Sequence, residues 1–390
     1  MDINFFDDAQ SVNLLPLTFT RPCALLSCGM LSLVDKWKNY LPISAIGFQT
    51  DKYLANLFPS INAVFFINGR LIPDKMIVQA VLALQPGDYL MQKDTVLAYH
   101  TKQERKMPFM ESVNILNNPS DIFVKNGQEI IHDFSFLDIS KYSTTIDDSN
   151  TIIGDKSQIY AAPGAKIVAS ILNTKNGPIY IGKDAEIMEG CMVRGPFSMG
   201  ENAVLKMGSK IYEGTSIGNF SKIGGEVNNT VIFSYSNKGH DGFLGNSVIG
   251  EWCNLGADTN NSNLKNNYEE VKLWNYASKR FEKTGLQFCG LIMGDHSKTG
   301  INTMLNTGTV IGVSCNIFGS GFPRNFVPSF AWGGAAGFTT YQIDKALQTA
   351  SLVYQRRKKK MQLEEEYLLK SIFDMESENR IWENKVGVNE

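Results

Sequence analysis

Two stretches concentrate side chains that could grip a polar ligand and move a proton. The first, Tyr235-Ser236-Asn237-Lys238-Gly239-His240-Asp241-Gly242-Phe243, sets a histidine among an amide, a lysine and a carboxylate. The second, Asn260-Asn261-Ser262-Asn263-Leu264-Lys265-Asn266-Asn267-Tyr268, is followed by Lys272. Both are rich in hydrogen-bonding groups and poor in aliphatic anchors. That composition suits a polyhydroxyl, anionic ligand. A histidine in general titrates near 6.5, so at about pH 7 it is largely neutral and able to accept a proton.

The scaffold beneath these stretches shows in a repeat. Ile181, Ile187, Val193, Met199, Leu205, Ile211, Ile217 and Ile223 follow one another at intervals of six. Met293, Thr299, Leu305, Ile311 and Ile317 form a second run, and Ile153 with Ile159 and Ile249 with Leu255 keep the same interval. Glycine often comes next, as at Gly182, Gly218, Gly224, Gly250 and Gly312. A period of six fits neither a helix nor an alternating strand. It fits short strands joined by corners, each sending one aliphatic side chain inward, with three strands to a coil and coils stacked at about 4.8 Å. An ordinary sandwich would not hold eight positions in register. The rhythm breaks at 226–248 and 258–291, and these breaks read as loops leaving the helix, where function concentrates.

The rest divides around that repeat. Residues 1–145 read as an α/β domain: Val64-Phe65-Phe66-Ile67 as a buried strand and Pro73 to Leu84 as an amphipathic helix. Residues 150–335 carry the β-helix, and 339–385 read as one long helix. The basic run Arg356-Arg357-Lys358-Lys359-Lys360 reads first as a solvated face of that helix, with contact to a CoA phosphate as the alternative. A net charge of −2 over 390 residues offers no basic field for nucleic acid. No apolar run approaches a membrane span. The six cysteines form no C-x-x-C pair, and the acidic start MDINFFDDAQ lacks a signal peptide's basic segment. A cytoplasmic protein with reduced thiols is expected.

Residues 150–335 resemble the hexapeptide-repeat, left-handed parallel β-helix acyltransferases. The resemblance implies a homotrimer with active sites between subunits and acyl-CoA along the groove. The motifs sharpen it. Leu205-Lys206-Met207-Gly208, Glu213-Gly214, Gly218-Asn219-Phe220, Gly239-His240 through Leu244-Gly245, and Asn254-Leu255-Gly256-Ala257 are similar to those of the bifunctional enzymes that make UDP-N-acetylglucosamine. Those enzymes acetylate glucosamine 1-phosphate from acetyl-CoA and then attach a uridylyl group from UTP. By that resemblance His240 is the general base that deprotonates the sugar amine. Lys206 and Lys272 hold the sugar phosphate, Phe243, Asn254 and Asn263 contact the substrate, and Ala257 borders the acetyl-CoA groove. Several positions depart from the pattern. Lys206 stands for an arginine, Phe243 for a tyrosine, Leu264 for a tyrosine of some members, Asp258 for a glycine and Gly224 for a lysine. His296 reads as structural or as lying at the cofactor's edge.

Leu15-Pro16-Leu17-Thr18-Phe19-Thr20-Arg21-Pro22-Cys23-Ala24-Leu25-Leu26 resembles a stretch of the sugar-1-phosphate nucleotidyltransferases. Their phosphate-cradling glycine loop is here Asp7-Asp8-Ala9-Gln10-Ser11-Val12-Asn13, without glycine. Cys23 stands where they carry a lysine. Arg21 could replace lost charge, and Asp8 or Asp7 could bind Mg²⁺ if this domain transfers a nucleotidyl group from UTP or another nucleoside triphosphate to a sugar phosphate, with pyrophosphate leaving. No other metal is assigned. Three alternatives stand beside acetyl transfer. One is a nucleotidyltransferase with a regulatory β-helix, and another a non-catalytic trimer that binds sugar nucleotides. The third, zinc hydration of carbon dioxide, needs three histidines, and only His240 and His296 lie in the helical part. The two halves are expected to work apart, so that a 146–390 fragment would acetylate as well as the full chain.

Overall fold

A computed structural model describes residues 1–137, 144 and 146–383. The N-terminal domain is a six-stranded sheet. Its order is Ala45–Gln49, Asp2–Phe6, Phe65–Asn68, Thr95–His100, Asp88–Gln92, Arg105–Pro108. The first three strands run parallel, and Thr95–His100 opposes its neighbours. Ile3, Phe5, Ile67, Leu90 and Leu97 bury one core with Trp37. The expected strand is Phe65–Asn68, with Val64 left exposed. The expected helix is Lys75–Leu82, started by Asp74, whose carboxylate accepts from the Met76 and Ile77 N–H groups.

From Thr151–Ile153 onward the chain visits three sheets in turn, and the coils pair parallel, as a β-helix requires, until Gly337–Thr340 folds back antiparallel on Ala331–Gly334. The inward positions form one apolar column system: Ile181, Ile187, Val193, Met199, Leu205, Ile211, Ile217 and Ile223 are all buried. No side chain in this column can be exposed without opening the coil above or below it.

The break at 226–248 is not a loop. The strands Glu226–Asn228, Val231–Ile232, Asn237–Lys238 and Phe243–Gly245 continue the three faces without interruption. The rhythm fails there because coil length changes. Ser198 pairs with Ser216, eighteen positions on, whereas Lys222 pairs with Asn237, fifteen on, and Glu226 with Phe243, seventeen on. One inward position is also polar. Lys238 sits inside the helix at 1% exposure, donating to the His240 carbonyl at 2.8 Å and the Gly224 carbonyl at 3.3 Å. Burial lowers its ammonium to about 8.

The break at 258–291 is a true excursion, but a shorter one. Asn260–Asn261 still pairs with Met304–Leu305 on the helix, and only then does the chain leave to form the hairpin Lys272–Asn275 with Arg280–Lys283. The asparagines serve the coil. Asn261 Oδ1 accepts from Gly245 N at 2.9 Å, and Asn260 Oδ1 from Phe243 N at 2.7 Å.

The single helix expected over 339–385 is two helices, Ile343–Gln355 and Leu363–Met375, preceded by the strand Gly337–Thr340. The chain turns between them because Gln362 and Glu365 form a capping box that restarts the helix. Tyr354 Oη donates to Glu365 across the turn at 2.8 Å. Residues 384–385 lie outside those described.

The N-terminal domain does not stand apart. Helix Pro119–Phe134 lies on the nine-stranded face, where Asn126 donates to the Gly214 carbonyl at 2.7 Å and to Ser216 Oγ at 2.9 Å. Leu14, Leu17 and Phe123 share one buried cluster with Val231, Val248 and Ile292 of the β-helix. A 146–390 fragment would therefore expose that face, and the expectation that the halves work separately is revised. Separation would cost burial at about 25 cal/mol per Å² of apolar surface.

Candidate functional site

One cavity of about 460 Å³ lies over a face of the β-helix where the two C-terminal helices turn. Its floor is a column of outward-facing residues in register, Lys222, Asn237 and Asn254. Lys206 and His240 stand at its corners beside Gly256 and Ala257. Arg356 and Arg357 close it from the C-terminal segment. Lys206, His240, Asn254 and Ala257, spread over fifty residues of sequence, thus meet in one place. The cavity lining includes four cations and no carboxylate.

His240 is exposed, and its ring makes no hydrogen bond among the described residues. Its backbone is what the fold holds, through the buried Lys238 ammonium on its carbonyl. Gly224 follows from this packing. A Cβ there would stand 2.9 Å from the Gly239 carbonyl oxygen, so the coil can close under the His240 corner only if this residue is glycine.

An aromatic ladder holds the C-terminal segment against the cavity. Phe220 stacks on Tyr235 at 5.1 Å, Tyr235 on Trp252 at 4.1 Å and Trp252 on Tyr354 at 4.2 Å between ring centroids. Phe220, Tyr235 and Trp252 occupy left-handed corner positions, with φ of 61°, 63° and 60°. Their side chains therefore leave the coil in the same direction. His296, at a fourth such corner, is buried in line with this ladder, and burial, then Lys298 and Arg21, push its imidazole down to about 3. Its Nδ1 has no hydrogen-bond partner among the described residues.

Three expected site residues lie elsewhere. Phe243 and Asn263 meet on the neighbouring six-stranded face, where both approach Gly245 and Asn263 Nδ2 donates to Asn246 at 2.7 Å. Lys272 is exposed on the hairpin. A single chain does not bring them to His240.

A second cavity of about 470 Å³ opens where the N-terminal strands end, lined by Asp7, Asp8, Asp51, Gln49 and Tyr99 among others. Asp8 is fully engaged. Arg70 grips it with Nε at 2.9 Å and Nη2 at 2.7 Å, and Asn68 donates to it at 2.8 Å. Asp7 accepts from Thr50 Oγ1 at 2.6 Å and Cys23 N at 3.0 Å, and burial pushes its carboxyl up. These carboxylates are structural anchors, and their geometry does not fit a Mg²⁺ site. Arg21 is not beside them. It is buried at the seam between domains, paired with Asp295 and with Glu251 at 3.4 Å. Burial alone would lower its guanidinium, but those carboxylates outweigh it and raise it.

With this geometry in view, likeness to known proteins can be weighed. Residues 3–141 match the family described as sugar nucleotidyl transferase. The chain is 31% identical over 157 residues to the bifunctional protein GlmU of Methanocaldococcus jannaschii, covering 40% of this chain and 32% of that protein. The chain is thus similar to GlmU proteins over part of its length. It is 35% identical over 144 residues to the bifunctional sugar-1-phosphate nucleotidylyltransferase/acetyltransferase of Sulfurisphaera tokodaii, covering 36% of this chain and 35% of that one. A longer match, 25% over 242 residues, joins it to GlmU of Carboxydothermus hydrogenoformans, with 60% and 48% covered. The chain thus spans about a third to a half of the length of these relatives. No described helix is long and apolar enough to cross a membrane.

Sequence reasoning passed over Lys222, and it named Tyr235, Asn237 and Arg356 only within longer polar or basic stretches, without a role of their own. Lys222 and Asn237 are visible only once the fifteen-residue coil is recognised, since that coil sets them side by side. Arg356 was read as part of a helix that in fact ends at Gln355.

Proposed function

We propose that the chain transfers the acetyl group of acetyl-CoA to the amine of a sugar phosphate, glucosamine 1-phosphate in the first instance. The observation that carries this reading is one cavity that collects a histidine, two lysines, two outward asparagines and a small alanine around one space. In this scheme the sugar amine attacks the thioester carbonyl and His240 takes the amine's proton. The tetrahedral oxyanion collapses, the C–S bond breaks, and CoA leaves as the thiol with the proton that His240 returns. Asn237 and Asn254 offer amide donors on the cavity floor, and Lys206 offers charge to the phosphate.

Phe243, Asn263 and Lys272 enter the same reading through a second subunit. One face of the β-helix is covered by the chain's own N-terminal domain. A homotrimer would use the other two, and it would set Phe243 and Asn263 of one subunit toward His240 of the next. The bifunctional names of the relatives extend the proposal to a uridylyl step from UTP in the N-terminal domain. The aspartates of its cavity weigh against a triphosphate there, so that step is expected to be slow. Mass spectrometry of products from acetyl-CoA, glucosamine 1-phosphate, UTP and Mg²⁺ tests both. The expected product is N-acetylglucosamine 1-phosphate, accumulating ahead of any nucleotide sugar. Recovery of unreacted amine would end the reading.

A further inference from the structure

The basic run 356–360 stands in a turn, not on a helix face. Helix Ile343–Gln355 ends before it, and Lys358 adopts φ of 55°. Two of its charges are tied to the β-helix. Arg357 Nη2 donates to the Phe220 carbonyl at 2.9 Å and to Asn237 Oδ1 at 3.4 Å, and Lys359 lies 4.8 Å above the Tyr235 ring. These contacts fix the turn. Arg356, between the helix end and the Arg357 anchor, is exposed, lines the His240 cavity, and pairs with no carboxylate among the described residues.

Lys222 completes the picture. It is the outward residue of strand Lys222–Ile223, on the cavity floor next to Asn237, and it too lacks a carboxylate partner among the described residues. Four cations around about 460 Å³ without one acid repel each other. The arrangement is stable when an anion shares the space. A guanidinium fork beside an ammonium is the pairing that matches phosphate oxygens.

We propose that Arg356, together with Lys222, holds a phosphate group in the His240 cavity, so that the turn between the C-terminal helices is part of the substrate site. This rests on reading that cavity as the acetyl-transfer site. Two sources share the chemistry: the phosphate on the sugar and the phosphates of CoA.

The test uses the full chain and its Arg356→Ala, Lys222→Ala and Arg356→Lys variants. One arm compares glucosamine 1-phosphate with glucosamine. The other compares acetyl-CoA with acetyl-pantetheine, which carries no phosphate. Arg356→Ala should raise KM about tenfold for the phosphate-bearing partner it holds, the size of one charge-assisted contact. The kcat should stay within about twofold, the phosphate-free analogue should respond little, and Arg356→Lys, which keeps the charge without the fork, should restore part of the loss. The arm that responds names the source. Calorimetric binding of glucosamine 1-phosphate and of CoA keeps the test separate from turnover. Wild-type binding without acetyl transfer would end the acetyl-transfer reading and leave Arg356 to be judged on binding alone. Unchanged KM and unchanged binding of both phosphorylated partners in Arg356→Ala and Lys222→Ala would overturn the proposal.

Discussion

Two cavities of this molecule are nearly equal in size and opposite in charge. The cavity at the C-terminal turn, about 460 Å³, is lined by Lys206, Lys222, Arg356 and Arg357 with no acid. The cavity at the end of the N-terminal sheet, about 470 Å³, is lined by Asp7, Asp8 and Asp51 with no cation. An anionic substrate favours the first by charge alone. Behind the second, the buried Arg70 is paired with Asp8 and does not line the space. The charges of the N-terminal domain are thus used within the fold, whereas those of the first cavity are left facing its space.

The largest expected effect sharpens this contrast. His240→Ala should slow acetyl transfer by about 10²–10⁴-fold, the usual weight of a general base. It should leave any pyrophosphate release from UTP where it was. Steady-state assays of both reactions on one preparation decide it, and equal loss of both would break the comparison.

Arg21→Ala should act on both domains at once. It leaves Asp295 buried at 3% exposure without its guanidinium. A stability loss of about 3–5 kcal/mol is expected for such a pair. Urea unfolding should show it as a lower midpoint, and an unchanged midpoint would mean that the seam does not depend on this pair.

The most gradual effect concerns acid. His296 is neutral in the folded chain, held down to about 3 by burial, whereas an unfolded histidine titrates near 6.5. The unfolded state therefore binds the extra proton between those values. Stability should fall as pH drops from about 6.5 toward 3, by up to about 1.4 kcal/mol per pH unit from this group. His296→Phe should flatten that slope. Parallel slopes for both proteins, measured by denaturant unfolding between about pH 4 and 7, would remove His296 from the acid response.

Much of the β-helix was legible because each inward position needs an aliphatic side chain, so Ile181 through Ile223 print the period directly. The same logic failed where it was violated. Lys238 stands inward, and the coil beneath it is fifteen residues long, so a continuous scaffold read as a loop. The basic run was misread for another reason. A run of charges says that a segment is solvated on some side, and only the packing of Arg357 and Lys359 on the coil corner shows which charge remains for a ligand.

The sequence by itself determined the repeat, the two-part organisation and the polar stretch that carries His240, because these depend on local spacing and on the burial each strand requires. Tertiary structure decided the rest. It joined Lys206, Lys222, His240, Asn254 and Arg356 around one space, and it turned Arg21 away from Asp8 toward Asp295. It also laid the N-terminal domain on the β-helix. Those outcomes depend on which surfaces meet, and a coil corner, a capping box and a buried ion pair far apart in the chain set that together.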